Sequence, residues 1–311
     1  MDCDILIIGA GPAGLSAAVY AARAGFKTMM LEKIGAGGQM MLTDKIDNYP
    51  GFPEGIAGFD LQNKMLFHAK KFGAKLHYGE AAKIEKTHEG FSIALTDGKI
   101  MNASSVIIAT GASHRPLGVP GEVEFTNKGV SYCGTCDGPF FRGKKTIVVG
   151  GGDSALTEAL FIAKFAKEVT IVHRRDRFRA VHSLVKQIEM IPIIKTKMNT
   201  TVEEICGAES VTGVILKDTV TGEKTNFATD GVFIFTGLIP ATNFVPAELL
   251  DGQRYIITNE KMGTAIPGLY AAGDARSGAF RQVICAASDG AVAANYAGEW
   301  LEAKHGNAYK N

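Results

Sequence analysis

Two cysteines, Cys133 and Cys136, stand two residues apart and are followed at once by Asp137. Thiols at this spacing can close a small disulfide ring that opens and re-forms readily, which suits electron transfer better than cross-linking a fold. The Asp137 carboxyl could carry the proton that a thiolate gains or loses. The spacing therefore predicts a redox-active dithiol.

Two other interpretations of the pair are half of a zinc site and a pair of inert buried thiols. Zinc needs two more ligands at metal spacing, but Cys3, Cys206 and Cys285 are isolated and His173 belongs to a basic motif. The count of five cysteines is odd, and the N-terminus lacks the basic region of a signal peptide. We expect a reducing, cytoplasmic location, where such a pair is more often catalytic than structural.

The composition narrows the class of protein and the kinds of partner. The 311 residues suffice for about two domains, and 46% hydrophobic with 21% charged residues is typical of a globular protein with a sizeable core. The net charge of +1 gives no support for a nucleic-acid or membrane-surface partner. Because no apolar run approaches the length of a membrane span, we expect no membrane insertion.

The first glycine-rich turn lies between a predicted buried strand, residues 4–8, and a helix predicted over residues 13–24. The turn and the start of the helix comprise Gly9, Gly11, Pro12, Ala13 and Gly14. A second strand, residues 28–31, ends at Glu32, whose carboxylate can accept hydrogen bonds from a ribose 2′-OH. Strand, G-x-G-x-x-G, helix and terminal acid together predict a dinucleotide site.

The same pattern recurs after the dithiol. A strand over residues 146–149 leads into a G-x-G-x-x-A turn and a helix over 153–165, and the next strand, 168–172, ends in basic residues. The predicted binding residues here are Gly152, Asp153, Ser154, Ala155, His173, Arg174, Arg175 and Arg179.

The two turns form an internal repeat with opposite chemistry at the strand end. Glu32 lies 18 positions after Gly14, and His173 lies 18 positions after Ala155. An acid at this position suits a free 2′-OH, whereas arginines suit a 2′-phosphate, which a guanidinium binds bidentately. We therefore expect FAD or NAD at the first site and NADPH at the second; the other interpretation of the arginines is a solvated basic face.

The rest of the chain reads as further short elements. A long Gly- and Pro-rich loop over residues 33–58 is of the kind that is often functional. Helices are predicted over 59–72, 180–189 and 283–303, strands near 75–78, 82–86, 91–95, 105–109, 192–196, 231–235 and 268–272, a β-ribbon over 209–229, and irregular structure over 238–262.

The strand over 268–272 ends at Gly273 and Asp274, which resembles the FAD-holding turn of flavoproteins that bind two dinucleotides. The C-terminal piece then belongs with the first domain. The predicted fold class is α/β, with two Rossmann-like dinucleotide-binding domains (three-layer ββα sandwich) and the NADPH domain inserted in the FAD domain. We expect the boundaries 1–113 and 244–311 for the FAD domain and 114–243 for the NADPH domain with the dithiol.

These motifs resemble, over nearly the full length and in the same order, those of thioredoxin reductases of the small two-domain bacterial type. The shared residues beyond the two turns and the dithiol include Gly38, Gln39, Asn48, Thr110, Gly111, Gly273, Asp274, Arg281 and Gln282. The resemblance implies that FAD is held by the first glycine turn and by the last of the shared groups, Gly273-Asp274 and Arg281-Gln282, with Asn48 and Gln282 near the flavin ring. It also implies NADPH at the second turn and a homodimer.

For the dithiol, the resemblance implies that Cys136 faces the flavin while Cys133 attacks the disulfide of thioredoxin or a related small redox protein. Asp137 would donate or accept the proton. Because the dithiol and the NADPH site share one domain, that domain must turn about crossings near 112–120 and 238–248 to present each in turn.

The chain departs from the family pattern in two places. Gly134 stands where alanine is usual and Pro139 follows Asp-Gly, and both bear on the choice of protein partner. Two other functions remain as alternatives. One is a dithiol oxidase, a class of proteins that commonly lacks the arginine cluster. The other is a nucleotide-binding redox sensor without turnover.

Overall fold

The computed structural model describes residues 1–43, 45–304 and 306. The chain forms two compact units: unit 1 comprises Met1–Ser113 with Pro240–Asn311, and unit 2 comprises His114–Ile239. Both units are built on largely parallel sheets, which confirms the predicted α/β class with Rossmann-like topology.

The elements follow in chain order. The strands are β1 Cys3–Ile8, β2 Thr28–Glu32, β3 Lys75–Tyr78, β4 Ala81–Lys86, β5 Phe91–Leu95, β6 Ile100–Ile108, β7 Ala112–His114, β8 Val130–Ser131, β9 Lys145–Val149, β10 Glu168–Val172, β11 Ile194–Lys197, β12 Thr200–Gly207, β13 Val211–Asp218, β14 Lys224–Ala228, β15 Gly231–Ile234, β16 Leu238–Pro240 and β17 Leu269–Ala271. The α-helices are α1 Pro12–Arg23, α2 Gly58–Lys71, α3 Gly134–Asp137, α4 Asp153–Ile162, α5 His182–Glu189 and α6 Val283–Lys304. Short 3-10 turns occupy Gly38–Leu42, Gly138–Phe141, Ala247–Leu249 and Gly273–Ala275.

Unit 1 is organised around one sheet in the order β3-β2-β1-β6-β5-β4, with β17 also pairing with β6. Strands β1, β2, β3, β6 and β17 run parallel, while β4 and β5 form an antiparallel meander onto β6. The four apolar residues Ile5–Ile8 are at most 3% exposed. A continuous apolar run is what a parallel strand covered on both faces requires.

Helices α1 and α6 cover one face of this sheet through small residues. A Cβ on Gly290 would overlap the carbonyl oxygen of Ala13, and a Cβ on Gly273 would lie 2.9 Å from the Ala13 side chain. The alanine-rich sequences of both helices thus allow their backbones to approach closely, which places the 3-10 turn after β17 against the start of α1.

Unit 2 has three layers. Its central parallel sheet runs β11-β10-β9-β15-β8, and β12, β13 and β14 form a separate antiparallel sheet. Successive residues of β9 point to opposite faces: Val148 packs with α4, while Ile147 and Val149 pack with the antiparallel sheet through residues such as Leu216. Because both faces of the strand are covered, every residue of Thr146–Val149 is buried.

The structure differs from the sequence expectations at several elements. Strand β12 was not expected, so the predicted ribbon over 209–229 is only the second and third strands of a three-stranded sheet. Helix α4 ends at Ile162 where the prediction continued to 165. Strand β7 lies in the predicted crossing over 112–120 and β16 in the segment predicted to be irregular, and the two pair as a two-stranded sheet. In the described part of the chain, no helix is both long and apolar enough to cross a membrane.

A buried ion pair ties α6 to the turn after β17. The guanidinium of Arg276 donates from Nε to Asp289 Oδ2 at 2.6 Å and from its Nη2 to Oδ1 at 3.0 Å. The same carboxylate accepts the backbone N–H of Gly273 at 3.1 Å. With side-chain exposures of 20% for Arg276 and 10% for Asp289, the pair is largely removed from water.

We predict that Asp289→Ala lowers the free energy of unfolding by about 3 kcal/mol, because it leaves a buried guanidinium without its partner. The exposed pair of Asp97 with Lys99 supplies a matched control, so Asp97→Ala should leave stability unchanged within error. Urea denaturation followed by circular dichroism measures both. Equal stability of Asp289→Ala and the unmodified protein would contradict the structural role of the pair.

Candidate active site

The two cysteines sit at the first turn of the short helix α3 and are joined by a disulfide, with Cα atoms 5.3 Å apart. Cys133 occupies the N-cap position, where its sulphur accepts the backbone N–H of Cys136 at 3.1 Å. The N–H of Asp137 donates to the Cys133 carbonyl at 3.1 Å. A donor aimed at the Cys133 sulphur stabilises a thiolate there once the disulfide is reduced.

Ser131, at the end of β8, fixes the position of the acid beside the ring. Its hydroxyl donates to Asp137 Oδ2 at 2.6 Å and accepts the backbone N–H of Cys133 at 3.1 Å. Parallel pairing of β8 with β15 holds this serine at the edge of the central sheet. The sequence interpretation placed Asp137 next to the dithiol but did not identify Ser131, since a serine before a cysteine carries no spacing signal.

A buried carboxylate anchors the chain just before the dithiol. Glu122, 2% exposed, accepts the hydroxyl of Tyr132 at 2.8 Å and the backbone N–H groups of Leu117 and Gly118 at 3.0 and 2.7 Å. The Tyr132 ring also stacks on His114 at 4.9 Å. Burial and the hydrogen bond to Glu122 raise the pKa of Tyr132, so its hydroxyl stays protonated and donating. The residue preceding Cys133 is therefore held rigidly.

The first glycine turn has the geometry that its sequence predicts. Gly9 has φ +104°, and a Cβ on Gly14 would overlap the Gly9 carbonyl oxygen. A Cβ on Gly11, by contrast, would meet no atom within 4 Å, so the turn is open in front of the N-terminus of α1. Glu32 Oε2 accepts the backbone N–H of Ala10 at 2.8 Å. The carboxylate of Glu32 thus stabilises the backbone of the turn.

Residues distant in sequence meet elsewhere in unit 1. The Asn48 side-chain amide donates to Gln282 Oε1 at 2.9 Å, joining the long loop to the segment before α6. Gln39 Nε2 donates to the carbonyl of Ala112 at 2.8 Å. The Gly38 backbone lies against the first turn, since its Cβ would be 3.4 Å from the Gly11 Cα. Of these predicted cofactor residues, Gly38 therefore lies at the first glycine turn, while Asn48 and Gln282 contact each other.

The remaining predicted residues of unit 1 lie on two further turns. Thr110 donates from its hydroxyl to the Ala241 carbonyl at 2.8 Å, and Gly111 follows it at φ +69°. Burial raises the pKa of Asp274, with the Asp289 carboxylate adding to the shift. The guanidinium of Arg281 lies 5.2 Å from the centre of the Tyr255 ring.

The second glycine turn repeats the arrangement in unit 2. A Cβ on Gly150 would lie 2.7 Å from the Ala155 side chain, while a Cβ on Gly152 would meet no atom within 4 Å. The loop after β10 folds over this turn, because the N–H of Arg179 donates to the Gly151 carbonyl at 2.7 Å. Asp153 Oδ1 accepts the N–H of the residue before α5 at 2.8 Å. Ser154 is exposed next to it.

The basic motif after β10 divides into one buried and three exposed side chains. His173 is 6% exposed, and its ring lies where a Cβ of Gly151 would be. Arg174, Arg175 and Arg179 are exposed, and none forms an ion pair with any residue that the structure describes. Sequence alone grouped His173 with the arginines, but the structure places its imidazole beneath the turn instead.

Burial lowers the pKa of His173, and the positive charges of the neighbouring arginines lower it further. The imidazole is therefore neutral at pH 7 and contributes no charge to an anion. The ring packs against the backbone at Gly151, while the three exposed guanidinium groups carry the positive charge.

A redox disulfide on one helical turn and two open glycine turns define a dinucleotide-dependent disulfide oxidoreductase. The sequence pattern of the pyridine nucleotide-disulphide oxidoreductase family matches residues 3–290. A thioredoxin reductase of Treponema pallidum (strain Nichols) is 46% identical over 301 residues, covering 97% of this chain and 98% of that protein. One of Bacillus subtilis (strain 168) is also 46% identical, covering 96% of this chain and 95% of that protein.

The crystal structure of thioredoxin reductase from Streptococcus pyogenes MGAS5005 superposes with a TM-score of 0.91. It is 43% identical and covers 97% of this chain and 98% of its own. The chain therefore belongs to the thioredoxin reductases within the pyridine nucleotide-disulphide oxidoreductase family.

We predict that His173 makes stability fall as the pH falls below about 6.5, the pKa of histidine in an unfolded chain. The folded state resists protonation of the buried ring, so the unfolded state binds more protons in this range and gains up to about 1.4 kcal/mol per pH unit. Urea midpoints at pH 7.5 and pH 5.0 measure the loss. His173→Gln should reduce this pH dependence, whereas His77→Gln, at an exposed position, should retain it; equal slopes in both variants would contradict the assignment.

Proposed function

We propose that the protein is an NADPH-dependent thioredoxin-disulfide reductase that passes electrons from NADPH through FAD to Cys133–Cys136 and on to the disulfide of thioredoxin or a related small redox protein. The observation that carries this proposal is the disulfide ring on α3, in the same unit as a glycine turn with three exposed arginines. The membership of the chain in the thioredoxin reductases supports the same conclusion.

The residues of unit 2 fit NADPH. Gly152 leaves room for a pyrophosphate in front of α4, where the free N–H groups of the first turn favour a negative charge. Arg174, Arg175 and Arg179 supply exposed guanidinium groups for a 2′-phosphate. We assign the cofactor contacts to these groups, with His173 supporting the turn from below.

The residues of unit 1 fit FAD. Gly11 leaves the same space in front of α1, and Glu32 offers a carboxylate to a ribose hydroxyl at the end of β2. Glu32 occupies the strand-end position where a basic residue would bind a 2′-phosphate, and its negative charge disfavours that group here. Asn48 and Gln282, hydrogen-bonded to each other, are assigned to the neighbourhood of the flavin ring.

When bound, the flavin supplies the two-electron transfer between the nicotinamide and the disulfide. The chain itself supplies the thiol chemistry. Cys133, whose sulphur faces the N–H of Cys136, attacks the partner disulfide as a thiolate, and Cys136 then displaces the partner by closing the ring. Asp137, held by the Ser131 hydroxyl, donates or accepts a proton beside this ring.

We also propose that the protein is a homodimer in the cytoplasm. Phe59 and Phe67, eight residues apart on one face of α2, are 55% and 72% exposed, and Phe280 is 70% exposed. Large apolar side chains of unit 1 left in water favour burial against a second copy. Three cysteines, Cys3, Cys206 and Cys285, are free thiols, as expected in a reducing compartment.

Rotation of unit 2 remains part of the proposal. One unit contains both the dithiol and the assigned NADPH site, so each has to reach the flavin in turn. The exposed arginines argue against a dithiol oxidase, which has no use for NADPH. Bleaching of a yellow protein by NADPH, followed by electron transfer to a redoxin, distinguishes the reductase from a sensor.

The first functional prediction concerns the dithiol. Cys133→Ser and Cys136→Ser should each abolish thioredoxin reduction, at least a thousandfold in kcat/KM, because a single thiol cannot complete the exchange. Both variants should still contain FAD that NADPH bleaches under anaerobic conditions. Cys285→Ser, which removes a free thiol outside the site, is the control and should keep full activity. Substantial thioredoxin reduction by either site variant would refute the mechanism.

The second concerns cofactor choice. Each guanidinium that binds the 2′-phosphate should contribute roughly 1.5–3 kcal/mol, so two contacts imply about a hundredfold or greater preference for NADPH over NADH. Arg174→Gln with Arg175→Gln should remove most of this preference by weakening NADPH use while NADH use changes little. Steady-state kcat/KM for both cofactors decides the matter. A double variant that keeps its preference would show that other groups read the 2′-phosphate.

A further inference from the structure

Glu158, on the second turn of α4, lies beneath the dithiol turn and has no part in the mechanism above. The side chain is half-buried, and its Oε2 is completely buried without a hydrogen-bond partner of normal geometry among the described residues. A buried carboxylate oxygen without a partner is costly. Such a group calls for an explanation in terms of function.

The hydroxyl of Thr135 lies between this carboxyl and the attacking cysteine. Thr135 Oγ1 is 3.4 Å from Glu158 Oε1 and 3.9 Å from Cys133 Sγ. A hydroxyl has one proton to donate and lone pairs to accept with, so it can donate towards only one of these two neighbours at a time. Its orientation therefore depends on which neighbour carries the negative charge.

Gly134 explains how the carboxyl comes so close. A Cβ at this position would overlap Glu158 Oε2 and would lie 3.1 Å from the Ile162 side chain. The alanine that is usual here in the family would therefore displace the Glu158 carboxyl. In this chain the glycine leaves the space that the carboxyl occupies.

Burial raises the pKa of Glu158, and the hydrogen bonds offered by Thr135 and Gly134 only partly oppose the shift. The elements packed on α4 carry other groups that titrate. These are Asp137 with Cys133 and Cys136 at α3, His182, Lys186 and Glu189 on α5, Glu168 on β10 and Lys145 on β9.

We propose that Glu158 is a positioning residue for the dithiol and that its carboxyl holds the proton of Cys133 by way of the Thr135 hydroxyl. The proposal rests on the proposed function, in which Cys133 attacks as a thiolate. It adds a second acid to Asp137, and one that no sequence motif indicates.

In the reduced enzyme, the Cys133 thiol donates towards Thr135 Oγ1 while the Thr135 hydroxyl donates to the Glu158 carboxylate. When the Cys133 S–H proton moves to Oγ1 and the Thr135 proton moves to Glu158, a thiolate and a neutral carboxylic acid result. One proton is thereby transferred with no change in net charge. The thiolate attacks the partner disulfide, and the partner's released thiolate takes up the proton that Glu158 returns.

The two groups then titrate as a coupled pair with two apparent pKa values that belong to the pair. Between these values the fraction of Cys133 thiolate is independent of pH, because the pair shares a single proton. A plot of Cys133 alkylation rate against pH should therefore show a shoulder. A thiol with no coupled partner shows a single sigmoid.

The experiment measures alkylation of Cys133 by iodoacetamide from pH 5 to pH 10 in the full-length, FAD-loaded protein, with Cys136→Ser as the background and peptide mass spectrometry as the readout. In the background the shoulder should be present. Adding Glu158→Gln should remove the shoulder and raise the rate at pH 7 by up to about tenfold, since loss of the neighbouring negative charge favours the thiolate. Adding Thr135→Val should remove the shoulder without raising that rate, because the charge stays and only the hydroxyl is lost.

Two further variants make the test specific. Gly134→Ala should reduce the shoulder by displacing the carboxyl, and Asp137→Asn should retain it, since Asp137 is held by Ser131. A background without a shoulder, a shoulder that survives Glu158→Gln or Thr135→Val, or one that Asp137→Asn alone abolishes would each overturn the proposal. The assay uses neither NADPH nor a redoxin, so failure of the proposed function would appear separately, in turnover.

Discussion

The packing of α4 against the dithiol turn is the contact on which the chemistry of unit 2 depends. The helix begins directly after Gly152, at the open side of the second glycine turn, and its residues Phe161 and Ile162 lie 3.1–3.6 Å from where a Cβ of Gly134 or Gly138 would be. From Gly152 to Glu158 the helix rises about 9 Å, at 1.5 Å per residue. One rigid element thus fixes the spacing between the assigned phosphate site and the cysteines, so they move as a single body in any conformational change.

The two glycine turns have similar backbone geometry, but they are stabilised by different side chains. In unit 1 the strand-end residue, Glu32, supports the turn with a hydrogen bond to the N–H of Ala10. In unit 2 the equivalent residue, His173, supports the turn by packing its neutral ring against Gly151. The strand-end side chain therefore supports the glycine turn in both units. In unit 2 exposed residues follow directly, beginning with Arg174, and we assign selectivity for a 2′-phosphate to them.

Apolar runs and glycine spacing were sufficient to predict most of the parallel strands, the helices after both turns and the α/β class, because burial on two faces requires a continuous apolar run. The two-residue parallel strand β8 was too short to be predicted. Strand β12 was missed since polar residues interrupt Thr200–Gly207, which is only partly buried. The helical turn α3 is too short for any periodicity. Glu158 belongs to no sequence motif, and only its tertiary contact with Gly134 distinguishes it. Contacts between distant residues, such as Asn48 with Gln282, leave no local signal.

Three buried carboxyl groups show how such contacts separate structural acids from chemical ones. Glu122 accepts three hydrogen bonds, and Asp289 accepts a bidentate guanidinium and a backbone N–H, so both are satisfied as anions. Their role is to hold segments together. Glu158 has only the distant Thr135 hydroxyl and the nearby amides, and burial raises its pKa. A carboxyl so incompletely satisfied tolerates the neutral form, and that tolerance is what a proton-holding group beside a reactive thiol requires.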